Sequence, residues 1–423
     1  MTMAPEKITL LENKRILLGV TGSIAAYKTV DLASKLNQAG ALVDVIMTEA
    51  AQQFVTPLAF QSVTGRAVYT DLWQPASAGN GLPTHIAHVG LGEGADLLVI
   101  APATAHTLAK LAQGLADNLL TVTALAARCP LMIAPAMDGG MYMHPATQAN
   151  LQTLQGRGVL LVEPEEGRFA SGLVGKGRLP ETPTLIGHVR RALGGTGRLA
   201  GRRVVVTAGG TAEALDPVRY ITNRSSGKQG YALAQAALDA GATVTLITSA
   251  QHLPAPTGAH IVPVDSARSL RDAVLHAVQG ADVLLMAAAV ADFRPAQVAE
   301  QKIKKQDNDT GITLELTRNP DILLDVKAQR TTDGWPRVVV GFAAESENLL
   351  ANARDKLQRK GLDLMVANDI SAADAGFSVD TNRVTVLDVQ GGQQPLELMS
   401  KTRVSELIIE RVAALLTDQT ETS

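Results

Sequence analysis

Five short runs in this 423-residue sequence bring together residue types that do chemistry. Gly19-Val20-Thr21-Gly22-Ser23-Ile24 follows an apolar run and opens a helical pattern. Backbone N–H groups at such a turn hold a phosphate at a helix N-terminus; the plain alternative is a tight turn. The G-x-G-x-x-G spacing of a dinucleotide fingerprint is missing. Ser225-Ser226-Gly227-Lys228-Gln229-Gly230 sets small residues and one lysine before a helix, which suits an anion, or else simply starts the helix. It departs from the Walker A pattern, because position 222 is Thr where Gly is needed and Gln229 stands where Ser or Thr would bind magnesium. His85 and His88 could share a metal, yet no Asp, Glu or Cys set lies nearby to complete a shell. A single histidine acting as acid, base or hydrogen-bond donor is the stronger reading. Pro135-Ala136-Met137-Asp138 presents a carboxylate at a strand end, either for a site or as a helix N-cap. Lys302, Lys304 and Lys305 sit in the polar stretch 298–310. They form either a solvated charge run or a lysine-bearing flap that closes on a triphosphate.

The elements that carry these runs repeat one pattern. Residues 14–20 (KRILLGV) read as a buried strand, and 24–39 have helical spacing with Val30, Leu32, Ala33 and Leu36 on the apolar side. Gly40 ends that helix and 42–47 (LVDVIM) form the next strand, a βαβ unit. The pattern returns at 203–207 (RVVVT), the turn Ala208-Gly209-Gly210-Thr211, a helix over 231–240 and a strand over 242–248. A second echo pairs 94–104 (GADLLVIAPAT) with 280–290 (GADVLLMAAAV), each a strand opening into a small-residue loop. A further strand, 131–134, precedes Asp138. The fold class is α/β, with two open doubly wound domains whose sites lie beyond the carboxyl ends of the strands. The expected bounds are 1–190 and 202–423, with a glycine-rich linker over 191–201.

Composition narrows the function. Lys and Arg total 38 against 41 Asp and Glu, a net charge of −3, which argues against a broadly basic nucleic-acid binder. The single cysteine, Cys129, excludes a disulfide framework and multi-cysteine metal sites and suits a reducing compartment. Aromatics make up only 3%, so Ala, Val, Leu and Ile must build the cores. No run reaches the ~18 apolar residues of a membrane span. Residues 1–13 lack an apolar core, so no secretory signal is expected and the cytoplasm is the expected location.

Taken together, several segments resemble the family of bifunctional coenzyme A biosynthesis proteins, in which a phosphopantothenoylcysteine decarboxylase precedes a phosphopantothenate–cysteine ligase. The resemblance runs over about 14–414. It rests on GVTGSIAAYK (19–28), MTEAA (47–51), HVGLGEGADLLVIAPATA (88–105) and PAMDGGMYMHPAT (135–147) in the first half. In the second half it rests on LDPVRYITNRSSGKQG (215–230), AAAVADFRP (287–295), KIKK (302–305), NPDIL (319–323) and GFAAES (341–346).

The resemblance implies a flavodoxin-like FMN domain, with the cofactor held by Gly22, Ser23 and Thr48 and the Ala103-Thr104 loop beside it. His88 matches the family's active-site histidine. The implied reaction oxidises the thiol end of 4′-phosphopantothenoylcysteine, releases CO2 from the thioaldehyde, and then reduces the enethiol with a proton from an acid. For the Rossmann-like ligase domain the resemblance implies CTP, Mg²⁺ and an acyl-cytidylate that the cysteine amine resolves. Ala288, Asp292, Asn319, Pro320, Asp321, Ile322, Phe342, Lys356 and Lys360 match nucleotide-contacting positions. Asn223 matches the residue that stabilises the acyl-cytidylate step, and Lys302 the flap lysine. The implied partners are small molecules (4′-phosphopantothenate, cysteine and CTP) and further copies of the chain, as flavin-domain trimers and ligase-domain dimers.

Two positions depart from the family pattern. Asp138 stands where Asn is commonest; an amide can donate to a substrate carboxylate, whereas an ionised Asp can only accept. Ser171 stands in the place of the flap cysteine that donates the final proton, and a hydroxyl is a far weaker acid than a thiol of pKa ~8.5. Cys129, in AARCP (126–130), reads as a structural thiol, so no other cysteine of the same chain replaces it. Either another acid completes the cycle, or the first domain is altered or purely structural. Arg168 in the same flap is a candidate contact for the substrate phosphate. A nicotinamide dehydrogenase, the generic alternative, is weakened by the missing fingerprint.

Overall fold

The computed structural model describes residues 7–73, 84, 86–169, 172–304, 311, 313–345, 349–369 and 379–421. It divides into two compact units, 1–194 and 195–423.

The first unit runs β1 (Arg15–Val20), α1 (Ala26–Gln38), β2 (Leu42–Met47), α2 (Pro57–Thr64), β3 (Val68–Tyr69), α3 (Ala87–Gly94), β4 (Leu97–Ala103), α4 (Ala105–Gln113) and α5 (Leu119–Ala126). It continues with β5 (Leu131–Pro135), α6 (Gly139–Met143), α7 (Pro145–Gly156), β6 (Leu160–Leu161), the pair β7 (Glu165–Arg168) and β8 (Val174–Arg178), and α8 (Thr182–Gly194). The main sheet is parallel, in the order β3-β2-β1-β4-β5-β6. Alternate strand residues supply its two faces, because strand side chains alternate. Ile16, Leu18, Val43 and Val45 pack with Leu32 and Leu36 on one face; Leu17, Ile46, Leu98 and Ile100 pack with Leu108 and Leu120 on the other. At about 1.5–3 kcal/mol per buried aliphatic side chain, this two-sided burial outweighs the low aromatic content.

The second unit repeats the plan with β9 (Arg203–Ala208), β10 (Ala212–Ala214), β11 (Tyr220–Thr222), α9 (Lys228–Asp239), β12 (Thr243–Thr248), β13 (His260–Pro263), α10 (Ala267–Ala277) and β14 (Val283–Met286). Then follow β15 (Phe293–Pro295), β16 (Leu316–Arg318), α11 (Ile322–Asp333), β17 (Val338–Glu345), α12 (Leu349–Lys360), β18 (Leu364–Asp369), β19 (Thr381–Asp388), β20 (Gln393–Ser400) and α13 (Lys401–Glu421). The sheet order is β13-β12-β9-β14-β17-β18-β19-β20. The first six strands are parallel, while β19 and β20 add an antiparallel hairpin at one edge. Sequence periodicity does not anticipate that hairpin, so the second unit is a doubly wound sheet with a mixed edge.

Element ends differ from expectation where a local bond decides them. The first helix begins at Ala26 rather than 24, because Ser23 to Ala25 form a turn in which Ser23 Oγ accepts from Ala25 N at 3.3 Å. Ile24, counted into the helical run, is 60% exposed. The helix expected at 231 begins at Lys228: Gly227 has φ of 77°, and Tyr231 N donates to its carbonyl at 3.1 Å. Helix α8 continues to Gly194, so the first four residues of the expected linker are its last turn. Ala192 and Leu193 in that turn pack against the core. Among the described residues, no helix is long and apolar enough to cross a membrane.

Gly230 is where α9 rests on the sheet. A Cβ there would stand 2.7 Å from the Thr207 carbonyl oxygen and 2.9 Å from Ala208 Cα. Both are backbone atoms that cannot rotate away. Gly230→Ala is expected to destabilise the second unit by about 1–3 kcal/mol. The readout is a lower urea midpoint for that unit, and an unchanged midpoint would mean that α9 has slack on the sheet.

Candidate functional site

Each unit has a cavity beyond the carboxyl ends of its central strands. In the first unit its volume is about 450 Å³, within the range of cofactor pockets. Gly22 and Ser23 arrive from β1, Thr104 from β4, and Ala136 to Asp138 from β5. The buried Thr21 ties the first two loops together: its Oγ1 donates to the Pro102 carbonyl at 2.6 Å and accepts from Thr104 N at 3.1 Å. Thr104 in turn caps α4 through Thr107 N at 3.3 Å. Gly22 lies so close to Ala50 that a Cβ would come within 2.5 Å of the alanine Cβ. Only glycine leaves room for the backbone to face the cavity there.

Asp138 stands at the strand end as expected. It lines the cavity, and its Oδ1 accepts from Gly140 N at 3.0 Å as the N-cap of α6. The β7–β8 pair forms the far wall with Arg168, Phe169, Gly177 and Arg178. Phe169 packs on Gly139, and Met137 N donates to the Gly177 carbonyl at 3.0 Å, which seats the hairpin on the Asp138 loop. Lys176, on the same hairpin, pairs with Glu163 at 2.6 Å, and the Tyr142 hydroxyl donates to Glu163 at 3.1 Å. The Lys176 bond holds the Glu163 carboxyl below its usual range, while burial and that carboxylate push the Tyr142 phenol up to about 12. This bonding anchors one edge of the flap.

Gly22, Ser23, Thr104 and Asp138 thus come together. Ala103 lies fully buried behind Thr104. Thr48 caps the end of β2, where its Oγ1 accepts from Ala51 N at 3.3 Å, and it lies outside the cavity lining. His88 sits in the first turn of α3, also outside that lining. Ser171 and His85 lie outside the described residues. Cys129 is half-buried against the core, away from the cavity, and burial pushes its thiol up. Among the described residues, no cluster of three or more His, Cys, Asp or Glu could hold a metal.

The second unit's cavity is larger, about 1060 Å³. Asn223, Ala288, Asp292, Asn319 to Ile322, Phe342, Lys356 and Lys360 all line it. The loops are braced against each other. Thr207 Oγ1 accepts from Ala288 N at 3.0 Å, and Thr211 Oγ1 accepts from Ala291 N at 2.9 Å. Asn319 Nδ2 donates to the Ala291 carbonyl at 2.8 Å, and Asn223 Nδ2 to the Val290 carbonyl at 3.1 Å. Asp321 caps α11 and pairs with Lys360 at 3.3 Å. The run Ser225 to Gly230 also lines the cavity, so the α9 N-terminus with Lys228 faces it. Lys302 is exposed and outside this lining; Lys305 lies outside the described residues.

Several lining residues escaped the sequence reading, among them Arg318, Arg359, Asn368, Asn382 and Lys401. Arg359 shares the α12 face that presents Lys356 and Lys360. Lys401 carries a legible signal, because a cation at the first position of a helix opposes the helix dipole. Its side chain is 6% exposed, and burial together with Lys228 pushes its ammonium below the usual lysine range. Asn382 Nδ2 donates to Gln229 Oε1 at 3.4 Å, and Lys228 pairs with Asp380 at 2.6 Å, tying the α9 turn to β19. The lining therefore sets Arg224, Lys228, Arg318, Lys356, Arg359, Lys360 and Lys401 against Asp292 and Asp321. Such an excess of cations suits a polyanionic ligand.

Comparison with known proteins matches both units. A family model described as Flavoprotein matches 6–194, and one described as DNA/pantothenate metabolism flavoprotein C-terminal domain matches 199–416. The chain is 46% identical over 409 residues to the coenzyme A biosynthesis bifunctional protein CoaBC of Bacillus subtilis, covering 96% of this chain and 98% of that one. It is 45% identical over 403 residues to the protein of the same name from Vibrio cholerae, covering 95% and 98%. A crystal structure of the C-terminal domain of such a protein shares 35% identity, covers 52% of this chain and 98% of that one, and has a TM-score of 0.44. With both units matched and near-complete coverage in each direction, the chain belongs to the family of bifunctional coenzyme A biosynthesis proteins.

Proposed function

We propose that the chain makes 4′-phosphopantetheine in two steps, and that the observation carrying the reading is the cation-rich cavity where the nucleotide-contacting residues converge. In the second unit the 4′-phosphopantothenate carboxylate attacks the α-phosphorus of CTP. The bond to pyrophosphate breaks and an acyl-cytidylate forms. The cysteine amine then attacks the acyl carbon, CMP leaves and the amide remains.

The lining cations offset the charge of the triphosphate, most of all as it builds on departing pyrophosphate. Lys302 adds to them from the flap, and Asn223 faces the reacting acyl group. Mg²⁺ is carried chiefly by the nucleotide phosphates, since this ion is usually held by one or two carboxylates plus phosphates. Asp292 and Asp321 are the carboxylates on the cavity wall.

In the first unit the Gly22–Ser23 turn would hold the FMN phosphate, with Thr104 beside the cofactor; the close seating of Gly22 on Ala50, which leaves the turn's backbone at the cavity, supports this fit. FMN, when bound, supplies reversible two-electron chemistry at the cysteine end of the substrate. Arg168 and Arg178 face the anionic groups of 4′-phosphopantothenoylcysteine, and the β7–β8 hairpin limits water. Proton delivery falls to an acid other than a flap thiol, with Ser171 in that place, or to water. His88 lies outside the lining in one chain, which supports its supply by a second copy within a flavin-unit trimer; the ligase units pair as dimers. We place the activity in the cytoplasm.

Three measurements test these assignments. Incubated with 4′-phosphopantothenoylcysteine, the FMN-loaded protein is expected to yield 4′-phosphopantetheine by mass. A product two hydrogens lighter would show that the reduction stops short. Lys302→Gln is expected to slow CTP-dependent pyrophosphate release on the order of 10²-fold, and an unchanged rate refutes its role. Light scattering after size exclusion should show a higher oligomer, whereas a monomer would remove the trimer from the account.

A further inference from the structure

The segment that carries Lys302 is held by an ion pair the two reactions do not use. Asp216 lies in the turn between β10 and β11, with its side chain fully buried. Its Oδ1 accepts from Val218 N and Arg219 N, each at 2.8 Å. Its Oδ2 accepts from Arg219 Nε at 2.9 Å and Nη2 at 2.5 Å, and also from Ile303 N at 3.2 Å. Arg219 Nη2 then donates to the Ile303 carbonyl at 2.8 Å. Both backbone groups of Ile303, the residue next to Lys302, are therefore taken by one charge pair. Upstream, Ala299 N donates to the Leu215 carbonyl at 3.0 Å, so the segment is pinned to the same turn twice.

The other end of that hairpin delivers Asn223. Strand β11 ends at Thr222, and Asn223 is fastened to the cavity loop through the Ala289 and Val290 carbonyls. Glu213 on β10 accepts from Ala267 N at 2.9 Å, which ties the hairpin to α10. One small rigid element thus fixes Asn223 at one end and the root of Lys302 at the other. We propose that Asp216 and Arg219 form a positioning pair for the ligase step, holding the Lys302 backbone at a set place relative to Asn223.

The physical reason is orientation. A lysine has a long flexible stem, so its reach is useful only when its Cα is fixed. Charge-assisted hydrogen bonds to both peptide groups of the neighbouring residue fix it more firmly than neutral bonds would. The carboxylate, with five hydrogen bonds and the guanidinium beside it, is held far below its usual range, so the clip stays charged at every working pH.

The inference rests on the assignment of Lys302 to the ligase step, and a double-mutant cycle separates the two. The readout is kcat for CTP-dependent pyrophosphate release by the full chain at saturating substrates. Asp216→Asn is expected to lower kcat on the order of tenfold. In the Lys302→Gln background the same substitution should change kcat by less than about twofold, because the pair acts through that lysine. Full multiplicative effects would overturn the proposal and leave the pair a purely structural bridge. Should Asp216→Asn lose its cooperative melt, Arg219→Lys takes its place. It keeps a charge opposite Asp216 but gives up the second N–H that reaches Ile303. It should lower kcat several-fold with the same non-additivity, and wild-type kcat would overturn the proposal. A normal rate for Lys302→Gln alone removes the Lys302 assignment, and this inference with it. That outcome is distinct from a slow Lys302→Gln enzyme whose cycle is additive.

Discussion

A buried threonine hydroxyl at the end of the central strand holds each switch point together. Where neighbouring parallel strands send their loops in opposite directions, backbone groups leave the ladder unpaired and need partners. Thr21 takes one acceptor and one donor from the loop after β4. In the second unit Thr207 and Thr211 take the N–H groups of Ala288 and Ala291. The device is the same in both sheets although the residues around it differ. With the inner backbone groups satisfied, the Gly22–Ser23 turn and the start of α9 line their cavities. The glycines at these points follow from crowding: Gly22 lies on Ala50, and Gly230 on Thr207 and Ala208.

Electrostatics then separate what two similar frames can bind. The second cavity gathers cations from α9, α12 and the start of α13, and it holds one of them, Lys401, nearly buried at a helix N-terminus. A buried ammonium beside Lys228 is unfavourable by itself, and its depressed titration reflects that. Asp380, paired with Lys228 at 2.6 Å, offsets part of that cost. An anion in the cavity would offset more of it. The first cavity is smaller and its positive groups are fewer, with Lys28, Arg168 and Arg178 in the same lining as Asp138. That balance suits a ligand with one or two anionic groups.

The sequence made legible those features that depend on neighbours along the chain. The strands 14–20, 42–47 and 203–207, the turn at Gly22–Ser23 and the small-residue loops after β4 and β14 follow from local apolar runs and glycine placement, and the structure has each of them. Resemblance named ten residues of the second cavity that periodicity could not have joined, since they come from five separate segments of loop, strand and helix. The antiparallel β19–β20 hairpin, Asn382 and Lys401 stayed hidden because their meaning depends on pairing with β18 and α9, more than a hundred residues away from the latter. His88 and Lys302 are the instructive cases. Their residue types and spacing were readable, but a single chain does not line either cavity with them. Chemical type can be read from a local run; delivery to a site needs a second element.

The two departures in the first unit also bear on each other. An Asn at 138 could cap α6 with its oxygen and still donate its amide N–H groups to a substrate carboxylate. Asp138 uses Oδ1 for the cap and lines the cavity with a side chain that, when ionised, can only accept. A substrate carboxylate there meets like charge unless a cation intervenes. Arg168 and Arg178 line the same space and supply that cation from the flap hairpin. The hairpin is seated on the Asp138 loop through Phe169 on Gly139 and through the Met137–Gly177 bond, so arginines and carboxylate are positioned as one body. Cys129 lies outside the cavity lining with its thiol pushed up, so no thiol of the same chain lines it. The replacement of a donating amide thus falls on one wall of one cavity, at Asp138. The arginines of that wall can orient the substrate carboxylate, and the proton must come from a separate group or from water.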